Sequence, residues 1–159
     1  MLSNFAFADN SATVTSSSKK PSIIVLGDSI SAAYGINIKQ GWVSLLQSKI
    51  AAMEMNYHVI NASVSGDTTR TGLNRLKPLL KKYHPEIVIV ALGGNDGLRG
   101  LAFSEISSSL GKIISLSQKS NSKVLLVGVR LPPNYGTAYN KKFMAVFQQT
   151  AKDFNIPLV

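Results

Sequence analysis

From Ser22 onward, short apolar runs alternate with longer stretches in which apolar residues recur every three or four positions. Ser22–Leu26 (SIIVL), His58–Ala62 (HVINA), Ile87–Leu92 (IVIVAL) and Lys123–Val129 (KVLLVGV) are runs of the first kind. They are rich in β-branched residues and too short for helices, so they read as buried strands. Gly41–Met53 carries Trp42, Leu45, Leu46, Lys49 and Ile50 at helical spacing, and Thr68–Tyr83 carries Leu73, Leu76, Leu79 and Leu80. Ser104–Gln118 carries Ile106, Leu110, Ile113, Ile114 and Ser117, and Ala138–Phe154 carries Phe143, Val146, Phe147 and Ala151. Each stretch predicts an amphipathic helix with that set facing inward. Ser104 stands where it can cap the third of them. Ile156–Val159 opens a fifth strand, and the sequence stops inside it, so the last strand and its covering helix are expected to be incomplete.

Continuous apolar strands alternating with one-sided helices predict an α/β domain: a doubly wound parallel sheet with helices on both faces. Right-handed crossovers then favour a flavodoxin-like strand order. The domain is expected over residues 21–159. Residues 1–20 have no periodicity, and their serine and threonine content reads as a disordered lead. Ala6-Phe7-Ala8 has the small-x-small form of a signal-peptidase site, without a basic or apolar region ahead of it. Export to the periplasm or medium, with cleavage after Ala8, is the expectation this raises.

Composition narrows the chemistry. The 159 residues contain no cysteine, which excludes disulfides, thiolate metal sites and cysteine nucleophiles. No apolar run approaches the ~18 residues of a membrane span, so stable membrane insertion is not expected. The net charge is +9. Its lysines come as scattered pairs (Lys19-Lys20, Lys81-Lys82, Lys141-Lys142) with no interleaved aromatic platform, so a nucleic-acid partner is not expected either.

In an open parallel sheet, ligands bind beyond the carboxyl ends of the strands. The segments there are Gly27-Asp28-Ser29-Ile30-Ser31, Asn61-Ala62-Ser63-Val64-Ser65-Gly66-Asp67, Gly93-Gly94-Asn95-Asp96-Gly97 and Arg130-Leu131-Pro132-Pro133-Asn134-Tyr135-Gly136. All are small, polar and glycine-rich. Acyl transfer needs a nucleophile and donors for the oxyanion. Ser29 on a tight turn offers the hydroxyl, the N–H groups of Ser29 and Gly66 offer two donors, and the Asn95 amide offers a third. Gly66, Gly93 and Gly94 would let backbone approach a substrate closely. Leu98 and Leu101, with Leu131, Pro132 and Tyr135, are apolar residues on the same edge among which an acyl chain could lie.

Gly27-Asp28-Ser29, Gly66 and Gly93-Gly94-Asn95-Asp96 resemble the first three sequence blocks of the SGNH (GDSL) hydrolases. The strings NASVSGDTTRTGLNRL, LGGNDGLRG and RLPPNYG resemble its bacterial arylesterase, acyl-CoA thioesterase and lysophospholipase subgroup. The resemblance covers about residues 22–159. It implies Ser29 as nucleophile of an acyl-serine mechanism, with the Ser29 and Gly66 N–H groups and Asn95 as the oxyanion hole. It also implies small acyl-ester or thioester substrates including lysophospholipids, no cofactor or metal, a monomer and, for many members, periplasmic export.

The family's fourth block, an Asp-x-x-His pair, does not occur in these residues. His58 and His84 stand at strand starts, ~15–20 Å from Ser29 for strands of five to six residues. A general base must reach within about 3 Å, so both histidines read as structural or surface residues and the chain as inert or nearly so. Three alternatives carry less weight. A receiver-like phosphorylation domain would use Asp28 and Asp96 but leaves Gly66 and Asn95 unexplained. A nucleotide module lacks its glycine motifs. A non-catalytic acyl- or glycan-binding descendant would differ only in lacking turnover.

Overall fold

The computed structural model describes residues 20–159; the expected cleavage site after Ala8 and nearly all of the expected disordered lead lie outside them. Four parallel strands form one sheet: β1 (Ser22–Gly27), β2 (His58–Asn61), β3 (Ile87–Ala91) and β4 (Lys123–Leu126), in the order β2-β1-β3-β4. β1 pairs with both β2 and β3, and every one of its residues is buried. This is why residues 23–26 within it are apolar without a break rather than alternating. The fifth strand is present as a single parallel bridge, Leu126 to Leu158, beside β4. The observed order is the flavodoxin-like one expected.

Side chains alternate across the sheet with the two-residue period of a strand. Leu26, Val88, Val90, Val124 and Leu126 point into the larger core. There they meet Leu76 and Leu80 of α2 (Thr69–Tyr83), Ile106, Leu110, Ile113 and Ile114 of α4 (Phe103–Lys119), and Phe143 and Phe147 of α5 (Thr137–Asp153). Ile23, Val25, Val59 and Ile89 point to the other face, where Val43 and Ile50 of α1 (Trp42–Ala52) cover them. No helix among the described residues is long and apolar enough to cross a membrane.

The strands and the three helices of the larger core follow the sequence pattern; two details do not. In α1 the inward residues are Val43 and Ile50 with half-buried Trp42 and Leu46, while Leu45 is 55% exposed and Lys49 faces solvent. Leu45 and Leu46 are adjacent, a 100° turn apart, and a helix can bury only one of them deeply. Ser104 does not cap α4: Phe103 is already helical, and the capping position falls on Ala102, which has no side-chain hydrogen bond to give. The N-terminus of α2 is capped as the sequence allows, since Thr68 and Thr71 exchange side-chain-to-backbone bonds as a capping box. At the outer edge of the sheet, the Gln47 Oε1 of α1 accepts the Val59 N–H of β2 at 2.7 Å.

Candidate active site

Three loops meet at the carboxyl edge of the sheet. The first leaves β1 as a tight turn in which Ala32 N–H donates to Asp28 O at 2.9 Å and Tyr34 N–H donates to Ser29 O at 3.0 Å. The Asp28 side chain accepts the Ile30 N–H at 3.0 Å, bracketing Ser29 between its neighbours' bonds. Gly27 is required for this turn, because a Cβ there would lie 2.5 Å from Ser31 Oγ. Ser31 is in turn held by Trp42 Nε1 on its hydroxyl and by Asn61 Nδ2 on its carbonyl.

The second loop follows β2. Val64 N–H donates to Gly27 O, and Asp67 N–H closes a turn onto Val64 O at 3.1 Å. Gly66 sits inside that turn at φ +84°, and nothing lies within 4 Å of where its Cβ would be. The left-handed backbone favours glycine here, and the open space above it is where a reacting group can approach. Neither the Ser29 N–H nor the Gly66 N–H donates a hydrogen bond among the described residues.

The third loop contains an element the sequence pattern misses. Gly94–Leu98 is a short helix, α3. Two glycines in five residues give little intrinsic helicity, and tertiary contacts hold it instead. Gly93 precedes it at φ +114°, with the Phe147 ring 2.7 Å from where a Cβ would be; at Gly97 a Cβ would meet Leu131 and Phe143, both at 2.8 Å. Gly94 backs onto Asp28, whose Oδ2 would lie 3.3 Å from its Cβ. Gly93 and Gly94 therefore serve internal packing, not the close substrate approach expected of them. α3 presents Asn95, whose Nδ2 donates to Asp67 O at 2.9 Å. Asp96 turns the other way and is 1% exposed. It accepts Thr69 N–H at 2.9 Å and Thr69 Oγ1 at 2.6 Å, tying α3 to the first turn of α2.

Ser29, Gly66 and Asn95 are thus brought to one edge by cross-loop bonds. The sequence reading missed what joins them. Arg75 of α2 donates to Asp67 Oδ2 at 2.6 Å through Nε, to Ala62 O through Nη1, and to Gly27 O at 3.4 Å through Nη2. Its one sequence signal was a charged residue flanking the inward Leu76 of α2. Arg99 also donates to Gly66 O at 3.2 Å, from an exposed position. Asp28, Asp67 and Asp96 are all buried. Burial pushes the Asp28 carboxyl above its ordinary 3.8, against the Ile30 N–H that favours its charge, and Asp67 and Asp96 push the same way. With Asp96 fully engaged and Asp28 buried, no exposed carboxylate is offered to a phosphoryl donor here.

A cavity of about 270 Å³ is lined by Asp28 and Ile30, the chain neighbours of Ser29 but not Ser29 itself, with Trp42, Val127 and Arg130 among others. Of the apolar residues singled out in the sequence, Leu98 is 45% exposed and Pro132 is exposed. Tyr135 is half-buried, with its hydroxyl on Leu98 O at 3.1 Å. Leu131 is 7% exposed and packs in the larger core, so it offers little surface to a ligand. His58 begins β2 opposite Ser22 in register, and His84 ends α2; both are exposed at the far edge of the sheet.

A serine turn, a glycine N–H and an asparagine amide thus stand together at the carboxyl edge of a doubly wound sheet, and the class to which the chain belongs is that of the acyl hydrolases. The chain belongs to the GDSL-like Lipase/Acylhydrolase family, whose sequence profile matches residues 25–159. It is 43% identical over 146 residues to "Esterase TesA" of Pseudomonas aeruginosa, covering 92% of this chain and 73% of that protein. It is 42% identical over 137 residues to the "Thioesterase 1/protease 1/lysophospholipase L1" of Escherichia coli, covering 86% of this chain and 64% of that protein. The fold superposes on the psychrotrophic esterase EstA from Pseudoalteromonas sp., a structure inhibited by monoethylphosphonate. The TM-score is 0.82 at 42% identity, covering 87% of this chain and 75% of that one.

Proposed function

We propose that this chain supplies the nucleophile and oxyanion hole of a hydrolase acting on carboxylic esters and thioesters. The observation that carries the reading is the convergence of Ser29, Gly66 and Asn95 on one sheet edge, with the Ser29 and Gly66 N–H groups free of acceptors among the described residues. In the acylation step, Ser29 Oγ bonds to the acyl carbon and the carbonyl electron pair moves onto oxygen. The Ser29 N–H, the Gly66 N–H and the Asn95 amide donate to that oxyanion. Collapse expels the alkoxide or thiolate, which takes up the proton the serine has lost. Water then cleaves the acyl-serine to the free acid. Leu98, Pro132 and Tyr135 are the surfaces offered to the acyl chain, and the substrates are small acyl esters and thioesters taken up by a monomer. Export, with removal of residues 1–8, belongs to the same proposal and is read from the N-terminal mass of the cell-derived protein.

The two histidines are both at the opposite edge of the sheet, so residues 1–159 by themselves are proposed to turn over slowly. Loss of a triad member costs serine hydrolases up to about 10⁶ in turnover, while oxyanion hole and binding leave ~10³–10⁴ over water. Purified chain assayed with p-nitrophenyl butyrate should show such residual turnover, and Ser29→Ala should remove it. Turnover indifferent to Ser29→Ala defeats the nucleophile assignment. A rate near the ~10 s⁻¹ typical of enzymes defeats the slow-turnover part alone. Prolonged exposure to a reactive phosphonate should add one phosphonyl group, located at Ser29 by peptide mass.

A further inference from the structure

The two loops that must face each other across a reacting carbonyl are joined by the Val64 N–H on Gly27 O, by Asn61 on Ser31 O, and by one side chain from outside both loops, Arg75. The Gly66 turn has two ends. Ala62 O lies on its entering side and the Asp67 carboxylate at its exit, and Arg75 donates to both. A second guanidinium nitrogen also lies 2.6 Å from Asp67 Oδ2. That same nitrogen reaches Gly27 O, the carbonyl immediately before Asp28 and Ser29. Asn95 takes hold of the exit end from the other side, through Asp67 O. A planar guanidinium spreads five fixed donors over three nitrogens and can span three separated acceptors, whereas an ammonium offers its three donors from one nitrogen at the end of a flexible stem. The Arg75 side chain is 26% exposed and its Asp67 partner 10%, so this pair is far less screened by solvent than Arg70–Glu105 on the same helix, at 67% and 52%.

We propose that Arg75 is a positioning residue of the oxyanion hole, fixing the Gly66 turn against the Ser29 turn. It touches no reacting atom. It acts by holding the Gly66 N–H and the Ser29 N–H at one separation, so that both address the same oxygen. This rests on the reading of Ser29 and Gly66 given above. In residues 1–159, where no histidine stands at this edge, the Ser29-dependent rate depends chiefly on those donors. It is therefore a direct readout of their alignment.

The test compares Arg75→Ala, Arg75→Lys and Arg70→Ala in the full chain, with p-nitrophenyl butyrate as substrate and Ser29→Ala as the blank. A misplacement of about 1 Å costs ~10²-fold in rate. Arg75→Ala should lower the Ser29-dependent kcat by about that factor with KM nearly unchanged, because the acyl contacts lie elsewhere. Arg75→Lys should recover only part of the loss, and Arg70→Ala should change nothing. Guanidinium ion at low millimolar concentration should restore turnover to Arg75→Ala, while tetramethylammonium should not. Backbone hydrogen exchange over residues 62–68 should quicken in Arg75→Ala, and the rate over residues 106–114 should not. If Arg75→Ala fails to fold, Arg75→Lys carries the test through the same kcat and exchange readouts. Equal kcat in Arg75→Lys and wild type, or a loss confined to KM, overturns the proposal. Turnover indifferent to Ser29→Ala instead overturns the reading on which it rests.

Discussion

The two ends of one sheet treat titratable side chains in opposite ways. At the carboxyl edge, Asp28, Asp67 and Asp96 are 4%, 8% and 1% exposed, and each is held by named bonds from another residue's backbone or side chain. At the amino edge, His58, Glu86 and His84 lie at or near the surface, and the one side-chain pair there, Tyr57 to Glu86, is a single hydrogen bond at 2.8 Å. Buried polar groups are costly unless bonded, and a bonded buried group has few alternative positions. Solvated groups cost little and keep their freedom. The difference teaches that polarity alone does not mark a working edge. What marks it is carboxylates withdrawn from water and joined across loops, since the amino edge buries bonded hydroxyls too, Ser22 on Tyr83 O and Ser122 on Pro85 O.

That contrast can be broken most severely at Asp96. Asp96→Ala leaves the Thr69 N–H and hydroxyl buried without their acceptor and should cost about 3 kcal/mol, measured by urea unfolding, with loss of Ser29-dependent turnover. Next comes Gly93→Ala. It forces a Cβ into the Phe147 ring at a φ of +114° and should cost about 2 kcal/mol. A smaller effect, sharper in its sign, comes from Asp28. Its carboxyl is raised above the unfolded value, so the folded state prefers it protonated, and that preference is lost as pH rises through the folded pKa. Asp28→Asn keeps an acceptor for the Ile30 N–H. Its stability relative to wild type should therefore improve as pH climbs from about 3 toward neutrality; a constant difference across that range would contradict the assignment. Smallest is His58→Ala at the opposite edge, expected within about 0.5 kcal/mol of wild type and with unchanged turnover.

The sequence pattern revealed most of the fold because burial on both faces leaves an unmistakable trace: IVIVA in β3 has few other uses. The nucleophile and oxyanion groups were legible for a different reason, since short glycine-rich blocks at strand ends resemble a known family. The binding of those blocks to one another was not legible. Arg75 looks like any surface charge until the strands are set side by side, Asp96 is marked by its block but not its bonds to Thr69, and α3 lacks the length and composition of a helix. The outward turn of Leu45 was hidden by its neighbour Leu46, because periodicity ranks two adjacent leucines equally and only the sheet beneath them chooses.

The Gln47 bond to Val59 also bears on how the molecule meets its neighbours. An outermost strand with free amide groups invites a strand from another molecule, and repeated invitations end in precipitate. Here one outward amide of β2 is already occupied by a side chain from its own helix, at 2.7 Å. An incoming strand would have to displace that amide oxygen before gaining a bond of its own. Gln47 thus closes one of the places at which a foreign strand could pair with this edge of the sheet.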